Sequence, residues 1–208
     1  MKFIKNYAIQ YSWGLLSLLL LLTIVGIKLS LKKIYIPTII FFCFVFYFFR
    51  IPDKKHYNDK RFVFAPSFGK VLSVDITPQH YIIKTFIGLT DPHIQYVPYP
   101  GILKKMDYAP GKFNPAFLIK KGDDNEQMSY TFLTDRGEIV VKQIAGVLAR
   151  TIVNFINPHA NVVQGDEIGL IKFGSRCEIR VPRGNNLKVL VKPGDYLEGS
   201  VTPIIQFL

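Results

Sequence analysis

Two uninterrupted apolar runs open the chain, and short alternating runs fill the rest of it. Residues 11–27 carry no charge, are dominated by Leu (LLSLLLLLT), and end at Lys28. Residues 34–49 form a second run dense in aromatics (IIFFCFVFYFF). A helix needs about 20 apolar residues to cross a bilayer core, with ~17 as a lower limit. The first run reaches that limit and the second reaches it only with its flanks. The link between them holds Lys28, Lys32 and Lys33. The pattern predicts two short helices in a hairpin over residues 1–49, either spanning the membrane or dipping into one leaflet.

From residue 50 onward the period changes to two. Residues 71–75, 81–86, 139–143 and 187–191 alternate apolar and polar positions between Gly, Pro, Asn and Asp. That is the signature of half-buried strands. Residues 144–153 (IAGVLARTIV) fit a strand or a short helix equally well. The expected fold is mostly β: a compact sandwich or barrel-like domain over residues 50–208, behind the helical hairpin. One internal echo sharpens this. Val163, Gly165 and Asp166 are followed by Ile168 and Gly169, much as Val191, Gly194 and Asp195 are followed by Leu197 and Gly199. Gly permits a positive φ and Asp bonds its own turn backbone. Either these are lipoyl-like sandwich turns, or they are two unrelated tight turns.

Charge is distributed unevenly. Residues 1–49 contain no Asp or Glu and five of the 26 basic residues, leaving 21 basic against 15 acidic residues downstream. A moderately basic body beside an apolar anchor suits an anionic lipid surface better than nucleic acid, for which no partner role is expected. Lys2 and Lys5 precede the hairpin; Arg50, Lys54, Lys55, Lys60 and Arg61 follow it. The positive-inside rule therefore places both ends, and the domain, in the cytoplasm, with the lysines of the link opposing that assignment. No small-x-small cleavage site precedes the second run, so residues 1–29 read as a retained anchor. Cys43 and Cys177 suggest no disulfide framework and fit a reducing compartment. No clustered metal-ligand spacing is present, and no Lys sits where a hairpin tip would invite lipoylation.

Chemistry concentrates in residues 168–182 (IGLIKFGSRCEIRVP), where two runs flank Phe173-Gly174-Ser175-Arg176. Gly weakens a strand, so Gly174 marks a bend or a close backbone approach. On the tripeptide alone, a strand bulge is the favoured reading, since bulges are common in sheets. In a strained, exposed Gly174–Ser175 bond, the Ser175 hydroxyl could attack the preceding carbonyl and shift the acyl group from N to O.

The stretch around Ser175 resembles the terminal signature of the short, bacterial-type phosphatidylserine decarboxylases. Five more segments agree in order: residues 48–53 (FFRIPD), 65–71 (APSFGKV), 91–98 (DPHIQYVP), 101–113 (GILKKMDYAPGKF) and 143–150 (QIAGVLAR). The resemblance implies a proenzyme that cleaves itself between Gly174 and Ser175. Ser175 would become a covalent pyruvoyl group, with no metal or diffusible cofactor. It implies phosphatidylserine as substrate and phosphatidylethanolamine as product. The partners it implies are the two cleaved chains, an anionic lipid surface and further copies of the chain.

In that comparison His93 is the candidate acid–base residue, because imidazole titrates near neutral pH. Read without it, His93 is a loop histidine bonded to backbone. Asp91 either orients the segment or caps a turn. Gln143 and Arg150 either line the site or pack, and Arg176 is a candidate support residue. The chain departs from the family at Phe68, where the family has an Asp assisting self-cleavage, and at Tyr96, where Arg is usual. Asp91 and Asp75 are the carboxylates that could substitute. Two other readings follow: an inactive homologue that binds anionic phospholipid, and a lipoyl-like adaptor on a membrane anchor.

Overall fold

The computed structural model of the protein describes residues 7–52, 58–112, 114–146, 152–171, 175–184 and 186–208. The chain divides into two compact units, Met1–Asp53 and Lys54–Leu208.

In the first unit the two apolar runs form α1 (Ala8–Lys28) and α2 (Lys32–Phe48). Ser30, at φ 55°, turns the chain between them. Gly26 lets the helices meet, since a Cβ there would lie 3.0 Å from that of Tyr35. One turn away, the Thr23 and Thr38 hydroxyls share a 2.8 Å hydrogen bond. Such small-residue and hydroxyl contacts join helices where apolar burial gives no drive. Leu18, Leu20, Leu21 and Ile40 point outward, the reverse of a helix that serves a soluble core. Among the described residues, one helix, Gln10–Lys28, is long and apolar enough to cross a membrane.

The second unit is built from strands β1 (Phe62–Phe64), β2 (Gly69–Ile76), β3 (His80–Ile87), β4 (Ile94–Tyr96) and β5 (Gly101–Ala109). A one-turn helix α3 (Ile119–Gly122) precedes β6 (Gln127–Thr134) and β7 (Gly137–Ile144). Then come β8 (Ile152–Asn154), β9 (Asn161–Val162), β10 (Glu167–Ile171) and β11 (Ser175–Pro182). The chain closes with β12 (Leu187–Val189), β13 (Tyr196–Leu197) and β14 (Pro203–Phe207). An eight-stranded sheet, ordered β13-β2-β3-β11-β7-β6-β5-β9, curls into a half-barrel. Two three-stranded sheets, β4-β10-β8 and β1-β14-β12, accompany it. Val71, Ile83, Leu103, Phe132, Val141, Ile179 and Val181 form the core with Ile168 and Ile205. The mostly β domain expected from the period-two runs is the one observed.

The two Gly-Asp echoes are the same turn twice. Gly165 and Gly194 take φ values of 88° and 97°. Asp166 accepts the Val163 N–H at 2.8 Å, and Asp195 accepts the Lys192 N–H at 2.9 Å. Each turn also grips a valine of a neighbouring segment by a pair of backbone bonds. Gly165 N–H donates to Val97 O and Val97 N–H to Asp166 O; Gly194 N–H donates to Val71 O and Val71 N–H to Asp195 O. The duplicated motif positions β4 and β2, which flank the region of interest.

Two expectations are corrected. Residues 144–153 are not one element: Ile144 ends β7, residues 147–151 lie outside the described residues, and Ile152 opens β8. Half-buried alternation also fails around Ser175, because Ile168 through Ile171 and Ser175 through Ile179 are buried on both faces. The outward side of β11 is covered at Arg176 by the segment around α3, whereas Arg180 farther along keeps 40% of its side chain exposed.

Candidate active site

Ser175 stands where the chain changes sheets. β10 ends at Ile171 in a three-stranded sheet, and Ser175 is the first residue of β11 in the eight-stranded one. Between Ile171 and Ser175 the chain passes from one sheet to the other. Gly174 itself lies outside the described residues, as does Arg150. Ser175 is fully buried, against the expectation of an exposed bond. It pairs with Ile87 and shares the inward face of β11 with Cys177 and Ile179. Among the described residues its Oγ has no hydrogen-bond partner. A buried hydroxyl without a partner costs about 1–3 kcal/mol, so it is retained against folding stability.

His93 arrives at the same end of the fold by two routes. It follows β3, whose last residue Ile87 is the partner of Ser175. It also immediately precedes β4, and its carbonyl accepts the Ile171 N–H at 3.2 Å. The ring is buried. Its Nδ1 lies 2.7 Å from the Asp91 carbonyl oxygen. A carbonyl only accepts, so Nδ1 carries the proton and donates it to Asp91 O. Asp91 is held in turn, because its carboxylate accepts the Gly88 N–H at 2.8 Å and the Tyr196 O–H at 2.7 Å. Pro92 stiffens the step between Asp91 and His93.

Gln143 is committed to a buried chain of side chains. Tyr130 O–H donates to its Oε1 at 3.0 Å, and its Nε2 donates to Gln95 Oε1. Gln95 Nε2 then donates to the His93 carbonyl at 2.9 Å. Burial pushes the Tyr130 phenol well above its usual range and the Cys177 thiol up to about 12, so both stay neutral. Arg176 points to the other face of the sheet. It is fully buried, with Nη1 donating to Ile119 O at 3.0 Å and Nη2 to the Asp123 carboxylate.

Phe68, at the position of the family Asp, is buried with its ring edge-on to Tyr96 at 6.2 Å. Gly69 beside it has φ 126°, and a Cβ there would lie 2.0 Å from Phe86 O, so only glycine fits. Asp75, one of the two candidate substitutes, sits far along β2 and pairs with Lys84 at 3.1 Å. Asp91 is the one placed beside His93.

Sequence reasoning missed Tyr196, Gln95, Tyr130 and Asp123. Gln95 carried a signal, since a spacing of two from His93 places both on one side of an extended segment. Tyr196 carried none, lying 105 residues from Asp91.

The chain is similar to known proteins over most of its length. The phosphatidylserine decarboxylase family model matches residues 41–204. A phosphatidylserine decarboxylase proenzyme of Carboxydothermus hydrogenoformans is 31% identical, covering 96% of this chain and 97% of the relative. The proenzyme of that name from Syntrophus aciditrophicus is 32% identical over 79% of this chain and 80% of its own. The one from Solibacter usitatus is 36% identical over 83% of each chain.

Proposed function

This chain belongs to the phosphatidylserine decarboxylase family, and from that premise we propose that it is a self-cleaving, pyruvoyl-dependent decarboxylase of phosphatidylserine, with Ser175 as the source of the pyruvoyl group. The observation that carries the reading is the fully buried Ser175 Oγ, without a partner among the described residues, at the head of β11 where the chain changes sheets. That environment fits a group made from the backbone itself. A dry, enclosed hydroxyl has its own preceding carbonyl as the nearest electrophile, and water is kept from competing.

In the maturation step the Ser175 Oγ adds to the Gly174 carbonyl and the peptide bond to the Ser175 nitrogen breaks, leaving an ester. Loss of the Ser175 α-proton then expels Gly174 as a carboxylate. The dehydroalanine left behind takes up water and releases ammonia, giving the keto terminus. Nε2 of His93 is the atom suited to accept the hydroxyl proton, since Nδ1 is engaged by Asp91. When formed, the pyruvoyl group supplies an electron sink for loss of carbon dioxide from an amino-acid headgroup. His93 Nε2 would again hold or return the proton at the reacting carbon. Gln95, Gln143 and Tyr130 hold the His93 backbone from the core side. Residues 1–49 serve as the membrane anchor and residues 50–208 as the catalytic domain, facing the cytoplasm.

Phe68 favours a second reading, an inactive homologue that retains lipid binding. One measurement separates the two. Intact mass of the detergent-extracted protein is expected to show chains 1–174 and 175–208, the latter with a keto terminus, while Ser175→Ala stays whole at 23.8 kDa. A wild-type chain found whole after incubation with phosphatidylserine vesicles would leave only the second reading.

A further inference from the structure

We propose that the loop spanning residues 114–122 is a second membrane contact, which seats the outward face of the eight-stranded sheet around Arg176 on an anionic lipid surface. The loop packs on the outward face of the eight-stranded sheet. Lys70, Phe86, Arg176 and Ile144 are cross-strand neighbours there and form one row over β2, β3, β11 and β7. The Phe117 ring meets Phe86 edge-on at 5.9 Å, and the buried Arg176 reaches through to Ile119 O and Asp123. The loop is therefore fastened from below by the residue next to Ser175.

Its upper side is built the opposite way. Phe117 is 52% exposed and Leu118 41%, two large apolar side chains in succession. Lys112, Lys120 and Lys121 flank them, all exposed. Residues 110–122 contain no Asp or Glu. Of the two acids that follow, Asp123 is taken by Arg176 and Asp124 lies 3.9 Å from Lys112. Among the described residues, Lys120 and Lys121 have no ion-pair partner. Single exposed apolar residues are ordinary. An apolar pair rimmed by unpaired lysines matches the layered chemistry of a bilayer surface, with acyl chains inside and phosphates outside. The charge selects an anionic lipid surface over a second apolar protein face. This inference rests on the decarboxylase reading for its purpose.

The test uses the full chain reconstituted in phosphatidylcholine–phosphatidylglycerol vesicles whose acyl chains carry bromine. Trp13, the only tryptophan, is replaced (Trp13→Phe), and Phe117→Trp, Leu118→Trp or Ile76→Trp supplies a single indole. Ile76 is as exposed as Phe117 but lies at the opposite end of the β2–β3 hairpin. Bromines ~5–10 Å below the headgroups, the depth reached by interfacial apolar groups, are expected to quench Phe117→Trp or Leu118→Trp by about half or more, with a blue shift. Ile76→Trp should be little affected, and Lys120→Glu with Lys121→Glu should remove most of the quenching. Absence of quenching at both loop positions, or equal quenching at Ile76→Trp, overturns the proposal. Repeating the measurement in Ser175→Ala keeps the two ideas apart. Quenching without chain cleavage in the wild type would sink the catalytic reading alone, and cleavage without quenching would sink the loop.

Discussion

At the scale of single residues, the arrangement turns on how one imidazole is held. Phe68 removes the carboxylate that the family resemblance leads one to expect, yet His93 is not left to rotate. The Asp91 carbonyl fixes its tautomer, and the Asp91 side chain fixes that carbonyl through Gly88 and Tyr196. Asp91 and Tyr196 are positioning residues in this account. If cleavage occurs between Gly174 and Ser175, Tyr196 ends up on the small chain and Asp91 on the large one, so their bond crosses the two products. Asp91→Ala deletes both anchors and is expected to lower kcat about tenfold, which corresponds to ~1.4 kcal/mol. Tyr196→Phe deletes one anchor and should cost less, within the ~0.5–1.5 kcal/mol of one hydrogen bond. In both variants KM should move little, and the pH profile of kcat should shift as the carbonyl that accepts from Nδ1 loses its anchoring. A loss confined to protein yield, with an unchanged pH profile in the purified enzyme, would make the pair merely structural.

Among elements, the repeated Gly-Asp turn shows what a sequence can and cannot reveal. The echo at 163–169 and 191–199 was legible because turn chemistry is local: a glycine at positive φ followed by an Asp that caps its own turn. That each turn also clamps a valine, Val97 or Val71, was not legible, because those partners lie far off in the chain. If the two turns are one device used twice, Asp166→Ala and Asp195→Ala should destabilise the domain alike, by about 1.5–3 kcal/mol each, the usual range for a hydrogen bond to a charged group. Thermal unfolding of the two variants checks this, and a large disparity between them would mean that only one turn bears on stability. The period-two strands and the two apolar helices were readable for the same local reason. The sheet change between Ile171 and Ser175 was not, since alternation predicts a strand but not its neighbours. Nor was the Gln95–Gln143–Tyr130 chain, where polar residues at inward positions are satisfied only by one another. The seriousness of Phe68 likewise could not be judged in sequence, because the role of a missing carboxylate depends on what else reaches the histidine.

For the molecule as a whole, the question is where the hairpin puts its turn. α1 has 21 residues and α2 has 17. At ~1.5 Å per residue these are about 31 and 26 Å, against a hydrocarbon core of ~30 Å. α1 is long enough to cross upright. α2 reaches the same depth because its partner holds it, through Thr23 with Thr38 and Gly26 with Tyr35. A hairpin lying in one leaflet would instead bury Lys28, Lys32 and Lys33 beside its turn, or force both helices flat with apolar side chains facing water on one side. The outward-facing leucines and isoleucines of α1 surround it and leave no polar side for such a posture. The expected topology is therefore a full crossing, with the turn at the face opposite the catalytic domain. In a Cys43→Ala, Cys177→Ala background, a cysteine introduced at the turn (Ser30→Cys) should react with a membrane-impermeant maleimide in sealed vesicles from one side. A cysteine on the domain (Lys188→Cys) should react only from the other. Labelling of both from the same side would place the hairpin within one leaflet.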